Sequence, residues 1–235
     1  MAASAAIAAP PAASSNASPE PVAETPSRTL ADLLPPPGCW TVEQYLLLFD
    51  AGGVEYVDGH LELLPVPTNE HQRIVQRLNL LLCALIDPDF VMLGPSRFRV
   101  AGGRMREPDL FVLPTDAAVE ATGPDEARYC TAAVLCIEVL SEGREASDRD
   151  LRDKPADYAA AGVAEYWVVD PAEKAIRLFR LGDDGSYGDA EMVSGDETAI
   201  SQAVPGLSVN VAALFAAAAS RGELPPDEAT GKTPD

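Results

Sequence analysis

Two largely apolar runs each carry an acid beside their most apolar residues. Residues 105–112 read MREPDLFV and residues 134–141 read VLCIEVLS, so Asp109 and Glu138 stand where a sheet core expects hydrocarbon. An ionised carboxylate without a partner in such a place costs several kcal/mol or more. If the two runs are neighbouring strands, their carboxylates approach each other and share either a proton or a cation. Carboxylate oxygens completed by water suit Mg²⁺ or Mn²⁺. Asp109 also has a plainer reading, as a strand-start acid bonded to backbone N–H groups. An inert role fits Glu138 less well, because its neighbours on both sides are apolar.

Metal-assisted attack on a phosphodiester also draws on a nearby positive charge. Lys154 is the first lysine of the chain, four residues after Asp150 and four before Tyr158 in DLRDKPADY. On a helix those three side chains share a face. Pro155 follows Lys154 directly, and proline is tolerated only in a helix's first turn, so the helix is expected to begin near Lys154. Taken alone, Lys154 reads more simply as a solvated helix lysine.

These groups need elements to position them. TVEQYLLLFDAGG predicts a short helix, with Thr41 and Gln44 as a capping box and Gly52-Gly53 as a stop. VEYVDGHLELL alternates around Asp58-Gly59, the signal of a β-hairpin. From Asn69 as cap, the apolar stripe Ile74, Val75, Leu78, Leu81, Leu82, Leu85 predicts a helix to about Ile86. Strands are expected near 96–100, 108–113 and 133–140, and a helix within 148–161 closed by Gly162. EYWVVDP and AIRLFRL read as further strands, and NVAALFAAAA as a last helix. Strands in the middle with helices around them predict an α/β or α+β domain, a mixed β-sheet flanked by helices. Its expected extent is residues 38–220. The Ala/Pro/Ser-rich residues 1–37 and the acidic tail 221–235 bury too little apolar surface to order themselves.

A hydrophobic share of 47% supports one good core, and no apolar run is long enough to span a membrane. The Ala-rich start has no basic residue before Arg28, unlike a secretory or transit signal, so cytoplasm is the expected location. Cys39, Cys83, Cys130 and Cys136 form no CxxC pair and read as reduced thiols. Only His60 and His71 are present, which argues against a His-rich metal site.

The net charge of −20 opposes nucleic acid binding, but its distribution is uneven. Within 38–220, 11 of the 14 basic side chains fall between Arg73 and Lys154, the segment that holds Asp109 and Glu138. There Arg97, Arg99, Arg104 and Arg106 surround Gly102-Gly103, a basic hairpin that could meet phosphates or simply a charged exposed edge. Tyr158, Tyr166 and Trp167 read as core aromatics.

The order VEYVDGHLELL, NEHQRIV, EPDLFV, CIEVLS, DxxxKxxxY and AGVAEYWVVDP resembles the Uma-type restriction endonuclease family, a branch of the PD-(D/E)XK nuclease superfamily, over about residues 40–181. The resemblance implies a restriction-endonuclease-like fold, DNA as partner and substrate, and Mg²⁺- or Mn²⁺-dependent cleavage. It is compatible with a homodimer. Residue by residue, it makes Asp109 and Glu138 the metal ligands and Glu55 a helper acid, in competition with Glu62 and with Asp58, which the turn explains better, on the same hairpin. Lys154 stands for a lysine moved from the ExK strand to the following helix. His71 matches the family's helix-start histidine, although its place in the apolar stripe suits a core or capping histidine. No lysine follows Glu138 at the second position, which is usual for this branch; the chain departs from the pattern in that two extra residues precede Asp150 and Pro155 follows Lys154. Two other readings share the scaffold, a catalytically silent binding or assembly module and a hydrolase of small phosphoesters.

Overall fold

The computed structural model describes residues 34–48, 52–115, 129–141 and 149–219. Most of the expected tails, 1–37 and 221–235, lies outside the described residues. Helix α1 (Val42–Leu48) opens on the expected capping box: Thr41 N–H donates to Gln44 Oε1 at 3.0 Å and Gln44 N–H to Thr41 Oγ1 at 3.2 Å. The hairpin β1 (Val54–Val57) and β2 (His60–Leu63) turns at Asp58 and Gly59, whose φ values of 48° and 83° are those of a type I′ turn. A Cβ on Gly59 would stand 2.5 Å from the Gly38 carbonyl oxygen, so only glycine fits.

Helix α2 (Asn69–Cys83) starts one residue earlier than its sequence signal suggests. Thr68, not Asn69, is the cap: it is extended, and its Oγ1 accepts from His71 N–H at 3.2 Å. The helix also ends at Cys83 rather than near Ile86, because the chain then turns through a 3₁₀ segment, Pro88–Phe90. Its buried stripe is His71, Ile74, Val75, Leu78 and Leu82, while Leu81 and Leu85 remain 40% and 45% exposed.

Strands β3 (Val91–Leu93), β4 (Phe98–Arg99), β5 (Met105–Arg106), β6 (Leu110–Val112) and β7 (Leu135–Val139) follow. Next come α3 (Lys154–Ala160), β8 (Glu165–Asp170), β9 (Ala175–Arg180), β10 (Glu191–Ser194), β11 (Thr198–Ile200), β12 (Ser208–Asn210) and α4 (Val211–Ala219). There is more than the one sheet the sequence suggested. Six strands form a mixed sheet in the order β10-β9-β8-β7-β6-β3, four form a second in the order β2-β1-β5-β4, and β11 pairs with β12.

In the large sheet only β7 and β8 run parallel. Parallel neighbours need a crossover, and α3 supplies it, which is why the lysine-bearing segment packs over β7. Strand β7 is buried on both faces. Leu135, Ile137 and Val139 join a core with α2 and α4, whereas Cys136 and Leu140 join a second core with Tyr158 of α3 and Tyr166. Glu138 shares the second face by the two-residue alternation of a strand. Tyr158, Tyr166 and Trp167 are fully buried, as expected of core aromatics.

Candidate active site

Lys154 begins α3, and Pro155 occupies the first turn, where its missing N–H costs nothing. Before it, residues Arg149–Asp153 form a π-helical turn that still aims Asp150 and Lys154 the same way. The buried Lys154 ammonium lies 2.7 Å from Glu138 Oε1, 3.0 Å from Asp150 Oδ1 and 3.2 Å from Glu55 Oε1. Tyr158, one turn further, donates its hydroxyl to Glu138 Oε1 at 2.8 Å. The shared face expected of Asp150, Lys154 and Tyr158 is therefore present, and all three meet the β7 glutamate or its partner. Pro155 does not displace the lysine.

The second sheet brings Glu55. Across the hairpin it faces Glu62, a like-charge pair that costs energy unless bridged. Arg106 on β5 bridges it, donating from one guanidinium nitrogen to Glu55 at 2.8 Å and to Glu62 at 3.0 Å. Its other nitrogens bond Asp157 of α3 at 2.9 and 2.7 Å. Glu107 N–H adds a bond to Glu55 Oε1 at 3.0 Å. Of the two competing hairpin acids, Glu55 is the one held against Lys154.

Asp109 precedes β6, and Leu110 pairs with Ile137, so Asp109 and Glu138 come next on the facing strands. Asp109 Oδ2 accepts from Val139 N–H at 2.8 Å, and Oδ1 lies 3.0 Å from His71 Nε2. The backbone-bonded reading of Asp109 is thus correct in part, and His71 is a partner of Asp109 rather than a plain core residue. Asp109, Asp150 and Lys154 line a cavity of about 730 Å³, together with His71, Glu107 and the exposed face of α2.

Electrostatics divide the acids. Burial alone would raise Glu55, but Lys154 and Arg106 outweigh it and hold the carboxyl at about 2. Glu138 is pushed up to about 8 by burial, which Lys154 opposes and Asp150, Asp109 and Glu55 reinforce. Burial likewise raises Asp150. The Lys154 ammonium resists its own burial because Asp150, Glu138 and Glu55 surround it, and it is held well above the ordinary lysine value. One ammonium thus serves three acids, with Glu55 held low while burial raises Glu138 and Asp150.

Residues 42–212 match the model of the Uma2 family, described as "Putative restriction endonuclease". This chain belongs to the Uma2 family. A crystal structure of a putative nuclease belonging to DUF820, from Anabaena variabilis, superposes on the Uma2 domain with a TM-score of 0.61 at 19% identity, covering 76% of this chain and 99% of that one. That likeness is one of fold. No curated protein matches the chain.

Within the Uma2 domain, the four basic residues around Gly102-Gly103 do not form a free phosphate-binding hairpin. Arg106 is spent on Glu55, Glu62 and Asp157, and Arg104 on Asp58 and Asp157. Arg97 is buried 3.5 Å from Glu107 and over the Tyr45 ring, and Arg99 bonds Tyr129. Sequence reading missed Arg106 and Asp157 as the brace between hairpin and helix, and Tyr158 as a donor to Glu138. The four-residue spacings in DLRDKPADY were the available signal for Tyr158. No local pattern tied Arg106 to Asp157, 51 residues away. Among the described residues no three His, Cys, Asp or Glu side chains converge at metal-site spacing.

Proposed function

We propose that this Uma2 domain is a divalent-metal-dependent endonuclease that hydrolyses DNA phosphodiester bonds. The observation that carries the reading is the buried Lys154 ammonium, within 3.2 Å of Glu55, Glu138 and Asp150, on the wall of a cavity that Asp109 also lines. Family membership supports a nuclease.

The donor set fits a small hard cation. Mg²⁺ keeps several waters and takes one or two carboxylates, so an all-protein cage is not needed. Asp109 and Glu138 would hold it, and Asp150, whose Oδ1 lies 3.0 Å from the Lys154 ammonium, adds a third acid nearby. When bound, a divalent ion supplies Lewis acidity and neutralises phosphate charge.

The chain's own groups do the rest. Val139 N–H and His71 fix the Asp109 carboxylate, and Lys154 with Tyr158 fixes Glu138. Lys154 places a permanent positive charge beside the cavity, where a phosphate gains negative charge as it is attacked. Glu138, raised to about 8, can hold or release a proton near neutral pH. Glu55 stays ionised and keeps Lys154 charged. The four free cysteines suit a reducing compartment, and cytoplasm is the proposed location.

The test is incubation of the purified chain with plasmid and single-stranded DNA in Mg²⁺ or Mn²⁺, beside Asp109→Ala and Glu138→Ala. Metal-dependent cleavage lost in both variants is expected. Intact DNA would sink the reading, and hydrolysis of small phosphoesters alone would move it to that substrate class.

A further inference from the structure

The solvent side of α2 is a wall of the cavity, and its composition is unusual for a helix surface. Asn69, Gln72, Gln76 and Asn79 all line it. Their spacing of three, four and three residues keeps them within about 80° of one another around the helix and spreads them over about 15 Å of its axis. Asn79 accepts a weak bond from Cys83 Sγ at 3.4 Å. Among the described residues no hydrogen bond engages the side chains of Asn69, Gln72 or Gln76. The buried stripe from His71 to Leu82 anchors the same helix in the core, so the carboxamides are held on a fixed support.

A row of carboxamides is chemically distinct from a phosphate-binding row. Each side chain is neutral and offers an acceptor and a donor in one plane, the pattern presented by base edges, and Asn or Gln pairs in two-point fashion with adenine. Phosphate contact calls for Arg or Lys, which Arg73, Arg149 and Lys154 bring to the same cavity, so the carboxamides are not needed for it. About 15 Å of helix spans about four nucleotide steps of 3.4 Å.

We propose that Asn69, Gln72 and Gln76 of α2 read nucleobase edges of the strand held in the cavity, and so set which sequences are cut. The inference rests on the nuclease reading of the same site. The helix orients bases while the acid and lysine cluster meets the backbone.

Two arms separate this inference from the reading beneath it. In the first, the full chain with Ca²⁺ in place of Mg²⁺ selects from a randomised oligonucleotide pool, and the bound fraction is sequenced for wild type, Gln72→Ala and Gln76→Ala. In the second, ends generated by cleavage of random-sequence DNA in Mg²⁺ are sequenced for the same proteins. A base preference in wild type that falls about tenfold in each variant is expected, the size of one lost two-point contact. Preference unchanged in both variants, or absent from wild type, overturns the proposal even if cleavage is brisk. Selective binding that falls in the variants, with no cleavage, upholds base reading by the row but overturns the nuclease reading and the row's part in cutting. Failure to bind DNA in the first arm together with intact DNA in the second overturns both.

Discussion

The Lys154 ammonium and the Glu138 carboxylate meet at 2.7 Å across a helix–strand boundary, buried at 2% and 5% side-chain exposure. Glu55 and Asp150 complete the ring around the same nitrogen. Lys154→Met would leave Glu138 and Asp150 without their buried cation and Glu55 with Arg106 alone. Breaking a buried pair from one side costs about 3–5 kcal/mol. The loss is read from urea unfolding, and adding Glu138→Gln is expected to return part of it. An unchanged midpoint for Lys154→Met would contradict the pairing.

Arg106 is the second brace, and its contribution depends on shape. It reaches Glu55, Glu62 and Asp157 at once, which a lysine's single nitrogen cannot do. Arg106→Lys is expected to lose about 3 kcal/mol or more, since a hydrogen bond to a charged group contributes about 1.5–3 kcal/mol. Arg104→Lys, at a side chain 33% exposed, is expected to stay within about 1 kcal/mol. Equal losses at the two positions in chemical denaturation would mean that Arg106 is a surface pair like any other.

Glu138 gives stability a pH dependence of definite sign. Its carboxyl sits at about 8 in the folded chain against an ordinary 4.5. Between those values the folded chain keeps a proton that the unfolded chain has released, so raising the pH favours unfolding through this group. In EDTA, the wild type minus Glu138→Gln difference in stability should therefore fall steadily from pH 5 to pH 8. A flat or rising difference across that window is the result that would refute it.

His71 is expected to act through Asp109. If Asp109 holds the metal, His71→Ala frees one of its oxygens and should weaken Mn²⁺ binding about 10- to 100-fold, the usual effect of losing a ligand's outer partner. Calorimetric titration measures this directly. His71→Gln, which retains an N–H donor, should recover part of the affinity. Identical titrations for wild type and His71→Ala would remove His71 from the site.

Much of this arrangement was legible before the fold was known, because its signals are local. The capping box at Thr41, the Asp58-Gly59 turn, the apolar stripe of α2 and the position of Pro155 at the start of α3 each depend on neighbours a few residues away. Asp109 and Glu138 stood out for the same reason, as charges among hydrocarbon. What escaped reading was non-local. Strand β10 buries only Val193, and β12 only Val209, too little alternation to recognise. Arg106 looked like one of four exposed arginines, since nothing near it in sequence reveals that three acids from a hairpin and a helix surround it. The compensation of Glu138 was likewise expected from a metal, whereas a lysine and a tyrosine from the crossover already touch it.

The position two residues beyond Glu138, where a strand-borne lysine would stand, is occupied by Leu140, 8% exposed and packed in the same core as Tyr158. The two placements exclude each other. A lysine at Leu140 beside Lys154 would crowd two ammonium groups onto the same acids, and one at neither position would leave Glu138 with only the Tyr158 hydroxyl. Moving the ammonium from helix to strand would therefore take two coupled substitutions, at Lys154 and at Leu140, rather than one.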